Sequence, residues 1–124
     1  MAIIRLSRLG LDKILEGAVK EPSTCIVKFY SNGCDMCHNL KEYYIDIADD
    51  EKYTDLHFFA FNVDGERNID RRLDFDGTPS IGLIKVHPQN KRKPKIRILK
   101  DPEKPNPETW FTTKDIRQFI EKEK

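Results

Sequence analysis

The chain has 124 residues, 35% charged and 38% hydrophobic, with 22 basic side chains against 21 acidic ones. That length suits one domain with a core of its own. The near-neutral balance gives no general attraction to nucleic acid or to an anionic membrane. No apolar run approaches the ~20 residues of a membrane helix. The opening "MAIIRLSRLGLDKIL" is broken by Arg5, Arg8, Asp12 and Lys13 and forms no signal core, and the closing "IEKEK" matches no retention signal. The expectation is a single monomeric domain over residues 1–124, in a cytoplasm where thiols are held reduced.

Taken in order, "IIRL" (3–6) reads as a short strand, and Leu11, Ile14, Leu15 and Val19 mark an amphipathic first helix. "TCIVKFY" (24–30) is rich in β-branched and aromatic residues and stops at Ser31-Asn32-Gly33, which predicts a buried strand running into a turn. From Cys34 the period changes: Cys37, Leu40, Tyr44, Ile47 and Ala48 recur at helical spacing. "LHFFAFNVD" (56–64) predicts a second buried strand, and "ERNIDRRLDF" (66–75) a short helix with Ile69 and Leu73 inward. "SIGLIKVH" (80–87) and "KIRILK" (95–100) read as a hairpin around the polar turn "PQNKRKP". "DPEKPNPETW" (101–110), with three prolines, reads as a surface loop. "TTKDIRQFIEK" (112–122) closes the chain as a helix capped by Thr112 or Thr113, with Ile116, Phe119 and Ile120 inward. The order β-α-β-α-β-α-β-β-α predicts an α/β fold, a central mixed sheet with helices on both faces.

The chemistry concentrates in "SNGCDMCHNL" (31–40). Cys34-Asp35-Met36-Cys37-His38 fits three patterns: a C-x-x-C redox pair, a C-x-x-C-H haem attachment site, and part of a zinc site. Haem attachment needs export and a distal ligand, and the only methionines are Met1 and Met36. Zinc needs about four ligands, and only Cys25, His57 and His87 remain, none forming a second pair. No metal and no cofactor are expected. Cys34 near a helix N-terminus is where amide N–H groups and the helix dipole stabilise a thiolate. Cys37, one turn on, is within reach of a disulfide and can resolve a mixed disulfide. His38 reads as a partly exposed residue of the first turn that adds some positive charge near the thiols and so tunes the site. Cys25 reads as a small buried hydrophobe. The basic run "NKRKPK" (90–95) reads as a solvated hairpin tip.

Three features together resemble the thioredoxin family: the strand "CIVKFYSNGC" entering C-x-x-C and a helix, the Asn/Asp-rich turn "FNVDGE", and "GTPSIGLI". The last resembles the family's Thr-Pro segment, in which a cis proline precedes a strand, and its distance from Cys34 is close to the family's. The resemblance implies a thioredoxin-like fold and thiol–disulfide exchange. It makes Cys34 the nucleophile, Cys37 the resolving thiol, and Thr78-Pro79, with Gly33, the edge that receives substrate. It implies disulfide-containing protein substrates and an external thiol reductant or reductase.

The departures from the pattern are specific. The family's centre reads W-C-G-P-C, whereas here Gly33 replaces the tryptophan and Asp35-Met36 replaces Gly-Pro. The dipeptide tunes thiolate stability, and Asp35 is expected to oppose the helix dipole and raise the Cys34 pKa. Six residues before Cys34 the family carries a buried acid, but this chain has Lys28. The family's partner lysine falls at Ala60. Lys28 has two readings: a side chain snorkelling out to solvent, or a partly deprotonated amine that takes over the acid's proton transfer. The lost tryptophan and acid also fit a rival function, a non-catalytic binding module or accessory subunit on the same fold.

Overall fold

The computed structural model describes residues 3–66, 68–88 and 93–124. Five strands form one sheet: β1 (Ile3–Arg5), β2 (Ser23–Tyr30), β3 (His57–Asn62), β4 (Ser80–Val86) and β5 (Lys95–Ile98). Their spatial order is β1-β3-β2-β4-β5. The pairs β1–β3 and β3–β2 are parallel, while β2–β4 and β4–β5 are antiparallel. The helices are α1 (Arg8–Leu15), α2 (Asp35–Ala48), α3 (Ile69–Leu73) and α4 (Thr113–Glu123), with a short 3-10 turn at Glu51–Tyr53. This is the mixed α/β architecture expected from the element order.

The period-two pattern of β2 divides the core. Cys25, Val27 and Phe29 pack with Leu11 and Ile14 of α1, Ile69 and Leu73 of α3, and Phe61, Ile84 and Val86. Ile26 faces the other way, into a cluster with Leu40, Tyr44 and Ile47 of α2 and Ile116, Phe119 and Ile120 of α4. Lys28, two residues after Ile26, therefore points toward α2. Cys25 is 2% exposed, and burial pushes its thiol up to about 11, in keeping with an inert core residue.

Two expectations change, at the third helix and at Lys28. The third helix covers Ile69–Leu73 and not 66–75, because Asn68 and Asp74 take left-handed backbone at φ 66° and 61° and end it on both sides. The proline segment is anchored despite lacking a helix or a strand of its own. Asn106 and Trp110 exchange backbone hydrogen bonds at 3.0 and 2.9 Å, Trp110 Nε1 donates to Asp101 at 3.1 Å, and Trp110 packs on the core. Asn39 on α2 donates to the Glu108 carbonyl at 2.8 Å, tying this loop to α2. The second change, at Lys28, is described with the site. The reading of the hairpin tip as solvated lies partly outside the described residues, at positions 90–92.

Candidate active site

After β2 the chain crosses Ser31, Asn32 and Gly33 to reach α2. That crossing is held from β3 and the turn beyond it. Asp64 accepts from the Asn32 amide at 2.9 Å, Asn62 Nδ2 donates to Asn32 Oδ1 at 3.0 Å, and the Asp64 amide donates to Asn62 Oδ1 at 2.8 Å. The "FNVD" segment thus fixes the approach to Cys34. Asp64→Ala is expected to lower the urea midpoint, by on the order of 1 kcal/mol, because a charged acceptor is removed from a backbone N–H. An equilibrium denaturation curve checks this.

Cys34 is the N-cap of α2. Its backbone is extended, and its Sγ accepts a hydrogen bond from the Cys37 amide at 3.1 Å. Cys34 and Cys37 are joined by a disulfide with their Cα atoms 5.2 Å apart. Cys34 is half-buried, whereas Cys37 is 1% exposed. The Cys37 amide of the first turn is aimed at Cys34 Sγ, the position that favours a thiolate once the pair is reduced. Asp35, exposed, opens the helix, and Met36 is half-buried. His38 is exposed in the first turn, with Nε2 2.9 Å from the Asn32 carbonyl oxygen. Among the described residues, no three His, Cys, Asp or Glu side chains come together as a metal site.

The Thr78–Pro79 peptide bond is cis. Gly77 before it has φ +68°, a backbone that favours glycine, and its carbonyl accepts from Ser80 Oγ at 2.8 Å. Ser80 pairs with Phe29, so Pro79 lies one residue beyond that pair, at the end of β2 from which the chain departs toward Cys34. Pro79 is buried and Thr78 half-buried. Gly33 is exposed, and a Cβ built there meets nothing within 4 Å.

Lys28 sits beneath this disulfide helix. It is 5% exposed, so it does not reach out to bulk solvent as a snorkelling side chain would. One row of paired residues crosses the sheet here: Arg5 on β1, Ala60 on β3, Lys28 on β2 and Ile81 on β4. Paired residues share a face, and the small side chain of Ala60 leaves the space between the two cations unfilled. The result is a cavity of about 340 Å³ whose wall includes Arg5, Lys28, Tyr30, Cys37, Lys41 and Tyr44. Lys28 Nζ lies 5.7 and 5.5 Å from the ring centroids of Tyr30 and Tyr44. Burial disfavours the ammonium, and Lys41 repels it; together they bring its pKa down from 10.5 to about 8. The Tyr44 hydroxyl lies 2.7 Å from the Phe59 carbonyl oxygen and 3.1 Å from that of Ile26, and burial pushes its pKa well up.

Sequence reading marked Lys28 and Ala60 as departures. It missed Arg5, Lys41 and Tyr44 as their neighbours, and Asn32, Asn62 and Asp64 as the clamp. For the clamp a signal was present in the Asn/Asp density of "FNVD"; for the cavity wall there was none without strand register.

The model of the family described as thioredoxin matches residues 12–120. Among curated proteins none matches. Solved structures do. The J-Trx1 fragment of ERdj5 shares 22% identity at a TM-score of 0.59, over 98% of this chain and 49% of that one, so the chain spans about half of that fragment. The Trx4 domain of ERdj5 shares 16% identity at a TM-score of 0.70, over 98% and 95% of the two chains. A thioredoxin f2 structure in complex with ferredoxin:thioredoxin reductase gives 15% and 0.69, over 98% and 94%. At these identities the structures speak for the fold, and a thioredoxin domain with a disulfide-linked C-x-x-C pair supports thiol–disulfide exchange in general. The family match over most of the length, the sheet order and the Cys34–Cys37 disulfide together establish that this chain belongs to the thioredoxin family.

Proposed function

We propose that the chain is a protein-disulfide oxidoreductase of the reductase type, with Cys34 as nucleophile and Cys37 as resolving thiol. The observation that carries this reading is the asymmetry of the pair: Cys34 is half-buried at the helix N-cap, and Cys37 is sealed beneath it. Only the outer sulfur is open to a protein substrate, and only it has the amide environment of an activated thiolate. In the forward step Cys34 thiolate attacks one sulfur of the substrate disulfide, a mixed disulfide forms, and the other substrate sulfur leaves as thiolate. Cys37 then loses its proton and attacks Cys34 Sγ. The Cys34–Cys37 disulfide forms and the second substrate sulfur leaves, so two electrons pass from the protein to the substrate.

Thr78-Pro79 and Gly33 are the substrate edge in this reading, and Asp35-Met36 sets the potential. Lys28, as the amine on the cavity shared with Cys37, is the proton acceptor for the resolving step. Its pKa of about 8 lies near that of an ordinary thiol at about 8.5, so a minor amine fraction, growing between about pH 7 and pH 8, takes the proton. No bound cofactor enters the cycle. An external thiol reductant or reductase resets the disulfide, as the reductase-bound thioredoxin f2 neighbour suggests. A monomer in a reducing cytoplasm is the setting that fits.

Redox titration of the Cys34/Cys37 pair against defined thiol buffers, read by alkylation and intact mass, tests the proposal. A reversible two-electron couple near about −270 mV supports a reductant, and one near about −180 mV shifts the direction to isomerase or oxidant. No reversible couple would leave the non-catalytic binding module in its place. A second expectation concerns docking. Gly33→Trp restores the family's indole at a position with open space. The variant is expected to fold without loss of stability and to be reduced faster by a thioredoxin reductase. Thermal unfolding and a nicotinamide-coupled reduction assay check both parts.

A further inference from the structure

The cavity behind Cys37 has a composition that disulfide exchange does not call for. Arg5, Lys28 and Lys41 face it from β1, β2 and α2, His38 adds an imidazole from the first turn of α2, and among the described residues no carboxylate lines it. Among the described residues none of Arg5, Lys28 and Lys41 forms an ion pair, although seven ion pairs form elsewhere on the molecule. Lys28 is the critical member. It is 95% removed from solvent by its 5% exposure, its amine borders the cavity, and the only partners described for that amine are the ring faces of Tyr30 and Tyr44. An ammonium buried without a counter-charge is costly, and cation–π contacts at these distances offset only part of that cost. Three cations are thus gathered around a space that no anion among the described residues borders.

We propose that this cavity is a binding site for a small oxyanion of phosphate size, held by Lys28 from the floor and by Arg5 and Lys41 from the two sides. The floor is shaped for it: Ala60, between Arg5 and Lys28 in the strand row, leaves the gap that a longer side chain would close. At about 340 Å³ the space takes an oxyanion together with several waters at about 30 Å³ each. Arg5 and Lys41 are exposed, so the anion enters without opening the core. Multiple N–H donors on separate elements match the several acceptor oxygens of such a group. Free phosphate and a phosphomonoester share this chemistry.

Occupation has a consequence for the resolving step. An anion against Lys28 holds it as ammonium, which removes the amine as proton acceptor for Cys37. That consequence rests on the proposed exchange chemistry; binding to the oxidised protein does not.

The test is a heteronuclear NMR titration of the oxidised full chain with sodium phosphate, with ionic strength kept constant by sodium chloride. Saturable shifts at the amides of Lys28, Cys37 and Lys41 are expected. Lys28→Met and Lys41→Gln are each expected to weaken binding by about tenfold, in line with the loss of one charge-assisted contact. Lys41 is exposed on α2, so Lys41→Gln keeps the test decisive should Lys28→Met fold poorly. Shifts that grow linearly without saturation, that chloride alone reproduces, or that persist unchanged in both variants would overturn the site. A parallel titration with glycerol phosphate separates the sources: tighter saturable binding than phosphate assigns the site to a phosphorylated metabolite, and weaker binding to the free ion. Failure of this titration leaves the Cys34/Cys37 redox couple untouched, and failure of that couple leaves phosphate binding measurable.

Discussion

Cys34→Ser is expected to bring disulfide turnover down to the uncatalysed rate, a loss of about three orders of magnitude or more as for removal of other covalent nucleophiles. Cys37→Ser is expected to behave differently. Cys34 is still capped on the helix N-terminus in that variant, so it still attacks. The mixed disulfide then has no buried thiol to resolve it and accumulates. Insulin reduction by dithiothreitol reads the first outcome. Non-reducing electrophoresis with intact mass of a trapped substrate adduct reads the second. The contrast between the variants is the informative part, because it follows from one sulfur being half-buried and the other 1% exposed. Trapped adducts on Cys37 in the Cys34→Ser variant would reverse the assignment.

Lys28→Met gives the second large effect, in both stability and chemistry. Lys28 has a folded-state pKa of about 8 against 10.5 as a free side chain. Below about pH 8 it is charged in both states, and the fold carries the full cost of burying an ammonium. As pH rises from about 8 toward 10.5, the folded state gives up its proton before the unfolded state does. The unfolded chain then binds more protons, and stability rises with pH. Methionine fills the same straight space without charge. The variant is therefore expected to be more stable than the parent at pH 6–7, by on the order of 1 kcal/mol. That advantage shrinks above about pH 8. Urea denaturation at a series of pH values checks the sign and the window. In the same variant, loss of a neighbouring positive charge is expected to raise the Cys37 thiol pKa by roughly one unit and to slow resolution of the mixed disulfide. An unchanged Cys37 pKa would remove Lys28 from the proton path.

Much of this was legible in the residues. The β-branched and aromatic content of "TCIVKFY" marked the buried strand β2, and Cys37, Leu40, Tyr44, Ile47 and Ala48 are the buried residues of α2, as their spacing predicts. Such patterns are local and survive without knowledge of partners. The C-x-x-C pair with Thr78-Pro79 carried the family. What was not legible depends on contacts distant in sequence. The ends of α3 follow from left-handed backbone at Asn68 and Asp74, which ordinary helix spacing does not report. The 3-10 turn at Glu51–Tyr53 is too short for any period to mark. Trp110, part of a segment that reads as a surface loop, packs on the core and donates to Asp101. Above all, the row Arg5–Ala60–Lys28 exists only once β1 and β2 are registered on β3. Lys28 alone suggested an oddity; its neighbours made it part of a cationic cavity.

One wall of that cavity is a weak one. Among the described residues β1 contributes three, sits at the edge of the sheet and pairs only with β3. Edge segments with few backbone hydrogen bonds open at far lower free energy than the central strands. Arg5 therefore belongs to the part of the sheet that frays first, whereas Lys28 belongs to a strand paired on both sides. Amide hydrogen exchange should separate the two, with β1 protected far less than β2. Of the cavity's walls, β1 is then the one expected to loosen first, while Lys28 stays held between two paired strands.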